Sequence, residues 1–342
     1  KEGKTTTADT IRIAKENDDV DKEVDAIIAK VEREFDKNNT TENIASQSKI
    51  ASIASKRIMV IDGAMGTMIQ KRNLSEDDYR GKMFASHTVN IKGCNDLLCL
   101  TNPEIIKDIH RMYLNAGADI IETNTFNAQR ISMKDYRLED ICRDINLAAC
   151  RIAREIADEY TSKTPDKPRF VAGSIGPTSK TCSISSDTTQ PGWETFSFDN
   201  LKKAYLEQAE ALLEGGVDAF IIETIFDTLN AKAAIDSVRT AIRKSGKNVP
   251  IMLSFTVTGS EGYNMLGQSI EKFIEDICGD DILSVGINCC ANVDVIEPLL
   301  LRLGAKTPYL ISVYPNAGLP DNKGHYAMTP EDLQQSLWRL AE

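Results

Sequence analysis

Cysteine is scarce in this sequence, and its 40 Lys and Arg are outnumbered by 51 Asp and Glu. The 342 residues contain eight Cys, which are scattered without the compact spacing of a disulfide framework. The formal net charge of -11 argues against nucleic acid or an anionic membrane as the main partner. The sequence contains no run of about 18 apolar residues, so no transmembrane helix is predicted. The acidic N-terminus lacks the apolar centre of a signal peptide. These absences predict a reducing, cytoplasmic compartment.

Several catalytic motifs are also missing. The sequence has no Gly-x-Ser-x-Gly turn, which disfavours serine hydrolase chemistry. No Gly-Lys-Ser/Thr follows a glycine turn, which disfavours a phosphate loop. His87, His110 and His325 do not have a metal-binding spacing, and we interpret all three as structural. Cys94 and Cys99 are loosely spaced for a closed zinc site, so we do not assign a metal to them.

Residues 1–56 differ in composition from the rest of the chain. They are rich in Lys, Glu, Asp, Thr, Asn and Ser, and residues 36–52 resemble a polar linker. Apolar residues at helical spacing predict one amphipathic helix, which lies on the main domain or serves as a docking helix. These residues are Val20, Val24, Ile27, Ile28, Val31 and Phe35. The sequence therefore predicts a helical N-terminal extension over residues 1–56 and a main domain over residues 57–342.

From residue 57 onwards, short apolar runs alternate with helical stretches. The runs are apolar on both faces, as is typical of parallel strands covered by helices, and they predict an α/β fold. The predicted strands are Arg57–Ile61, Asp119–Thr125, Arg169–Ile175, Asp218–Ile225, Val249–Val257, Ser284–Cys289 and Pro308–Tyr314. The predicted helices are Pro103–Ala116, Leu138–Tyr160, Phe198–Leu213, Asn230–Lys244 and Thr329–Ala341.

A doubly wound sheet and a (β/α)8 TIM barrel both accept this pattern. We favour the barrel because polar residues follow the C-terminal ends of six strands, and barrel active sites are built at that face. These residues are Asp62, Glu122 to Asn124, Ser174, Glu223, Asn288 with Cys289, and Asn316. No eighth strand is found before Glu342, so we expect a barrel truncated before that strand. Because its sheet edges would be open, we expect this chain alone to be marginally stable and inactive.

The turn Asp62–Thr67 has the sequence Asp-Gly-Ala-Met-Gly-Thr directly after a predicted strand. Its two Gly allow backbone N–H groups to point at an anion such as a substrate carboxylate. The carboxylate of Asp62 suits an ammonium group, and capping of the next helix is the alternative. We therefore place Asp62, Gly63, Ala64, Met65, Gly66 and Thr67 in the candidate substrate site.

Glu122 and Glu223 occupy equivalent places in two copies of Ile-Ile-Glu-Thr, at Ile120–Thr123 and Ile221–Thr224. A carboxylate at the end of a buried strand is costly unless it is paired. A substrate ammonium would supply the partner, and a bond to the backbone or to a basic side chain is the alternative. Both residues are candidates for substrate binding.

The segment Ser284–Cys290 (SVGINCC) reads as a buried strand ending in two thiols. Gly286 allows another backbone or a ligand to approach closely, and Asn288 places an amide beside the first thiol. Cys289 is a candidate nucleophile or ligand for a soft metal, although most free Cys are buried and inert.

With these residues in view, the chain resembles the N-terminal homocysteine-binding region of cobalamin-dependent methionine synthases from about residue 57 to its end. The matching segments are Arg57–Gln70, Gly117–Phe126, Val171–Lys180, Gly215–Ala231, Gly286–Cys289 and Tyr314–Pro320. The resemblance implies a (β/α)8 barrel that carries the homocysteine half of a methyl transfer. It implies that the Asp62 loop and Glu223 bind the amino acid end of homocysteine, with Glu223 facing the ammonium. The candidate substrate site also includes Glu122, Asn124, Ser174 and Asn288, which stand at the ends of predicted strands.

The resemblance also implies a zinc ion, held by three Cys thiolates, that binds the sulfur of homocysteine. Cys289 matches the first ligand and would be the catalytic residue. The other two form a Gly-Gly-Cys-Cys pair in the family, which this sequence lacks. Cys290 departs from the family pattern and is expected to point to the opposite face of the strand. The methyl group would come from methylcobalamin on a separate module, recharged by a folate-binding module of the same parent chain.

Alternative functions remain at this stage. One is a free-standing homocysteine methyltransferase that uses betaine or S-methylmethionine as donor, but the matches at Tyr314–Pro320 and Asn124–Phe126 favour the cobalamin type. Another is a fragment that binds homocysteine without turnover. A phosphate-binding barrel aldolase is weaker, because no Lys stands at a strand end.

Overall fold

The computed structural model describes residues 44–182, 197–277, 279–290, 293–318 and 328–341. Its six parallel strands form one sheet in chain order. They are β1 Ile120–Glu122, β2 Phe170–Ile175, β3 Ala219–Ile225, β4 Ile251–Phe255, β5 Ile282–Asn288 and β6 Leu310–Tyr314. This sequential order is that of a barrel, since a doubly wound sheet reverses its strand order at a switch point. The eightfold count and closure of the barrel stay predictions.

Helices lie between the strands and cover the sheet. The short helices are α1 Ile44–Gln47, α2 Lys49–Ala54, α3 Met65–Gln70, α4 Glu76–Arg80, α5 Leu98–Thr101 and α7 Arg130–Met133. The longer ones are α6 Pro103–Asn115, α8 Cys142–Lys163, α9 Phe198–Glu214, α10 Thr228–Ser245, α11 Ile270–Ile277, α12 Val293–Lys306 and α13 Pro330–Ala341. Single 3-10 turns cover Asn95–Leu97, Lys134–Tyr136 and Glu139–Ile141. Within the described residues, no helix is both long and apolar enough to cross a membrane.

The first predicted strand, Arg57–Ile61, is wrong as a regular strand. Only Ile61 forms a parallel bridge, with Ile120, although the segment runs beside β1. The carboxylate of Asp119 accepts the N–H of Val60 at 2.9 Å and also binds Arg57. This side-chain contact takes a backbone donor that a longer ladder would need, so the segment joins β1 through its C-terminal end, where the Ile120 N–H donates to Val60 O and the Asp62 N–H donates to Ile120 O.

The predicted polar linker is also wrong where it is described, because residues 44–54 form α1 and α2. Ala45 and Ile50 are buried in one apolar cluster with strand residues such as Phe170 and Met252. The backbone N–H of Ala45 donates to Asp280 O at 3.0 Å. The predicted amphipathic helix at residues 20–35 lies outside the described residues, and the proposed division at residue 56 stays a prediction.

The strands place their C-terminal ends side by side. Strands β2, β4 and β5 are buried along their whole length, as their apolar sequences predict. The backbones of β5 and β6 approach closely at Gly286, where an added Cβ would overlap the carbonyl oxygen of Ser312. Residues at the C-terminal ends of β1, β2, β3, β5 and β6 line one common cavity.

Candidate functional site

A cavity of about 360 Å³ lies at the C-terminal ends of the strands. All but one of the residues predicted for the site line it, the exception being Thr67, which lies within α3. The predicted residues in its wall are Asp62, Gly63, Ala64, Met65, Gly66, Glu122, Asn124, Ser174, Glu223, Asn288 and Cys289. The structure thus brings residues from widely separated segments to one place, while their individual roles stay predictions.

Three of the four carboxyl groups in the described cavity wall, those of Asp62, Glu122 and Glu223, interact with one another, and the fourth belongs to Asp96. Asp62 Oδ2 accepts a hydrogen bond from the backbone N–H of Glu122 at 3.1 Å. The other oxygen of Asp62, Oδ1, is buried and has no hydrogen-bond partner within the described residues. Burial, and then the charge of Glu223, raise the pKa values of Asp62 and Glu122 well above their usual range.

Glu223, in β3, accepts hydrogen bonds from hydroxyl groups of the adjacent strand β2 and of the more distant strand β6. Ser174 Oγ, in β2, donates to Glu223 Oε1 at 2.5 Å. Tyr314 Oη, at the end of β6, donates to Glu223 Oε2 at 3.5 Å. Burial raises the pKa of Glu223 despite the opposing effect of these hydrogen bonds. No Lys, Arg or His is among the described residues that line the cavity, so the cluster suits a cationic ligand.

Cys289 stands directly after β5 and exposes part of its side chain. Its backbone has φ of +52°, in the left-handed region. Asn288 Nδ2 donates to its Sγ at 3.2 Å, and Thr224 Oγ1 lies 3.9 Å from the same sulfur. Burial raises the pKa of Cys289, whereas these two contacts lower it. Cys290 is buried and does not line the cavity, in keeping with its predicted opposite direction.

Thr224 has an unusual backbone conformation for a β-branched residue. Its φ is +54°, which costs about 1–2 kcal/mol for a residue other than Gly. Asn288 bonds both the backbone N–H and the hydroxyl of Thr224. Backbone strain of this kind collects at functional sites, where the surrounding structure maintains it.

The residues described here do not complete a three-thiolate zinc site. Cys289 is the single Cys in the cavity wall, and a zinc ion takes three or four protein ligands. Within the described part of the chain, no group of three His, Cys, Asp or Glu side chains is arranged to hold a metal ion. Cys289 is thus a candidate for one ligand only.

Sequence reasoning missed part of the cavity wall. Asn95 and Asp96 enter it through the 3-10 turn at Asn95–Leu97, and Asn124 Nδ2 donates to Asn95 O at 2.8 Å. Burial raises the pKa of Asp96 to about 6. Further lining residues stand beside strand ends, which was an available signal, and they are Thr125, Phe126, Asn127, Thr224, Tyr314 and Pro315. The cavity wall also includes Thr123 and Asn316, which the sequence places at the ends of predicted strands.

Comparison with known proteins identifies the family. Residues 59–342 match the homocysteine S-methyltransferase family. The oxidized form of the homocysteine methyltransferase MmuM from Escherichia coli superposes with a TM-score of 0.62 at 23% identity, covering 80% of this chain and 86% of that chain. Its metallated form gives 0.61 at 22%, covering 80% and 88%. The structural likeness supports the fold, and the family match, which spans most of the sequence, shows that the chain belongs to the homocysteine S-methyltransferase family.

Proposed function

We propose that the cavity binds homocysteine and that the protein promotes methyl transfer to the homocysteine sulfur. The observation that carries this proposal is that one cavity wall holds both a carboxyl cluster and the Cys289 thiol. The carboxyl cluster has no basic partner among the described residues of that wall. Homocysteine carries an ammonium at one end and a sulfur at the other. Its ammonium would lie among Asp62, Glu122 and Glu223, and its sulfur would lie toward Cys289.

The amino acid end is bound by groups whose geometry suits an ammonium. Asp62 and Glu223 both line the cavity, and their carboxyl oxygens are hydrogen-bond acceptors. An ammonium placed there would offset the desolvation of these carboxylates. The turn at Gly63–Gly66 adds backbone N–H groups for the substrate carboxylate, a role that we infer from its sequence and its position in the wall.

The chemical step forms a sulfur–methyl bond while the bond between methyl and its donor breaks, and the thiol proton leaves. A thiolate is the reactive form, and a zinc ion held in part by Cys289 would lower the pKa of a bound thiol so that its proton leaves to solvent. We propose Cys289 as one zinc ligand. The metal's remaining ligands are not among the described residues of the cavity, so the binding of zinc stays a proposal.

We propose methylcobalamin, carried on another module and recharged by a folate-binding module, as the methyl source. The sequence segments Asn124–Phe126 and Tyr314–Pro320 support this donor over betaine or S-methylmethionine. An assay of methionine formation from homocysteine by the full-length protein, with each of the three donors, tests the choice. Turnover with methylcobalamin and little with the others is expected, and preferential turnover with S-methylmethionine or betaine would contradict it.

A second candidate is a homocysteine-binding module without turnover. The observation that favours it is the presence of one candidate zinc ligand in the described cavity. Binding of homocysteine together with no turnover from any of the three donors would support this candidate.

The binding proposal is tested by calorimetry with three ligands. L-Homocysteine carries both recognised ends, L-norvaline replaces the thiol with a methyl group, and 4-mercaptobutyrate lacks the ammonium. We expect 4-mercaptobutyrate to bind roughly 10- to 100-fold more weakly than homocysteine, because it leaves the carboxylates unpaired. Glu223→Gln should lower homocysteine affinity similarly, whereas the matched surface change Glu104→Gln should not. Equal binding of homocysteine and 4-mercaptobutyrate would contradict the proposed ammonium site.

A further inference from the structure

Asn288, the last residue of β5, connects the C-terminal ends of three adjacent strands. Its side chain contacts Ser254 in β4 and Thr224 in β3, and it also reaches the following residue, Cys289. Asn288 is 0% exposed. A single buried amide therefore joins the part of the sheet from which the sulfur end of the cavity is built.

All hydrogen-bonding positions of the Asn288 side chain are occupied by protein atoms. Its Oδ1 accepts from the Thr224 N–H at 3.0 Å and from Ser254 Oγ at 2.8 Å. Its Nδ2 donates to Thr224 Oγ1 at 2.8 Å and to Cys289 Sγ at 3.2 Å. A side-chain amide offers two acceptor and two donor positions. No position remains for a ligand, although Asn288 lines the cavity and is predicted from sequence to bind substrate.

The two residues that Asn288 holds near the cavity both have left-handed backbones. Thr224 has φ of +54° and Cys289 has φ of +52°. Residues other than Gly adopt this conformation when their surroundings maintain it. Asn288 supplies such a contact at Thr224, because its oxygen accepts the backbone N–H and its nitrogen donates to the hydroxyl of the same residue.

We propose that Asn288 is a positioning residue that sets the sulfur end of the site without contacting substrate. By holding Thr224 and donating to Cys289 Sγ, it keeps the hydroxyl and the sulfur 3.9 Å apart in the cavity wall. The effect on ligand preference rests on the proposed binding of homocysteine with its sulfur toward Cys289. The effect on the conformation of Thr224 and Cys289 does not depend on that function.

Crystal structures of two variants test the conformational part. Asn288→Ala removes every contact, so Thr224 is expected to leave the left-handed region and Cys289 Sγ to move. Asn288→Asp keeps an acceptor for the Thr224 N–H but lacks the N–H donors, so the Thr224 backbone should stay while Cys289 Sγ moves. It also provides a second variant if the alanine protein does not fold. Ser284→Ala, which removes a buried hydroxyl of the same strand away from Asn288, is the control. Unchanged positions of Thr224 and Cys289 in the Asn288 variants would overturn the proposal.

The preference for homocysteine over L-norvaline tests the functional part. Both Asn288 variants should reduce this preference roughly tenfold, the change in affinity expected for the loss of one hydrogen bond. The affinity for norvaline should change by less than about twofold. Equal weakening of both ligands would indicate general structural damage, and an unchanged preference would indicate no effect at the sulfur, so either result would overturn the role. If the unchanged protein binds neither ligand, the proposed function fails, and the crystal structures alone decide whether Asn288 positions these residues.

Discussion

Asp62 and Glu122 are joined by a hydrogen bond in which Asp62 Oδ2 accepts the backbone N–H of Glu122 at 3.1 Å. This contact fixes one carboxylate oxygen and leaves the buried Oδ1 without a partner in the described part of the chain. Burial and neighbouring negative charge raise the pKa values of both side chains. The empty cavity therefore favours protonated carboxyl groups, whereas a bound ammonium would favour ionised ones.

Glu122→Gln is expected to stabilise the ligand-free protein at pH 7.5 by about 1–3 kcal/mol, the range for relieving an uncompensated buried group. The reason is that desolvation and the nearby Glu223 and Asp62 all disfavour its ionised form. Denaturant unfolding of the variant and the unchanged protein measures this difference. Glu104→Gln, on an exposed side chain, should change the free energy of unfolding by less than about 0.5 kcal/mol.

The same comparison has a predicted pH dependence. The folded-state pKa of Glu122 is raised above its unfolded value of about 4.3. The folded state therefore holds more protons than the unfolded state above that pH, and this carboxyl contributes less stability as pH rises through its folded pKa. The stability advantage of Glu122→Gln should thus widen from pH 4 to neutral pH. An advantage that shrinks as pH rises would contradict the assigned direction.

Ligand binding at neutral pH is expected to release protons from the carboxyl cluster. An ammonium lowers the pKa values of nearby carboxyl groups, so protons held in the empty cavity are displaced. Calorimetry with L-norvaline in buffers of different ionisation enthalpy measures this release without a contribution from a ligand thiol. In Glu122→Gln the release should be smaller. A binding enthalpy that is the same in every buffer would show that the cluster is already ionised before the ligand arrives.

The site was largely predictable because parallel strands bring their C-terminal ends together. Apolar runs located the ends of β2, β3 and β5, and the next polar residues, Ser174, Glu223 and Cys289, therefore line one cavity. Asp96 was missed because it enters the wall through a 3-10 turn whose direction no hydropathy pattern indicates. Tyr314 lay in a predicted strand, but the contact of its hydroxyl with Glu223 depends on the curvature of the sheet.

The errors in the fold have a similar cause. The apolar run at Arg57–Ile61 resembles a strand, yet a side-chain acceptor from Asp119 takes the N–H of Val60. The composition of residues 36–52 is typical of a linker, yet the described part of this segment forms helices whose residues Ala45 and Ile50 are buried against the sheet. In both segments a tertiary contact overrides the local pattern.

Gly286→Ala is expected to destabilise the protein by more than about 3 kcal/mol, above the usual cost of overpacking. An added Cβ would overlap the Ser312 carbonyl, which is backbone of the paired strand β6 and cannot move without disturbing the sheet. Gly259→Ala is the matched control, because no atom lies within 4 Å of a Cβ added there. Unfolding curves of the two variants measure the contrast. Similar stability of both would show that β5 and β6 separate more easily than their contact indicates.

His110, in α6, is expected to make the protein sensitive to acid. It is 0% exposed, and neither ring nitrogen has a hydrogen-bond partner within the described residues. Burial lowers its pKa to about 4. Because its unfolded pKa is about 6.5, the unfolded state gains a proton first as pH falls. The stability present above pH 6.5 is therefore lost on acidification, and the loss reaches about 2.5 kcal/mol at pH 4.5.

His110→Leu and His110→Gln separate this titration from the cost of burying a polar group. Neither variant titrates in this range, so both should lack the loss of stability that His110 adds between pH 6.5 and 4.5. Leu should also raise stability at pH 7.5 by about 1–3 kcal/mol, because it removes an unpaired polar ring from an apolar site, whereas Gln should not. Denaturant unfolding of both variants and of the unchanged protein at pH 7.5 and pH 4.5 measures these differences in stability. If the free energy of unfolding of both variants changes with pH as that of the unchanged protein does, the His110 ring finds a proton acceptor or solvent in the folded state.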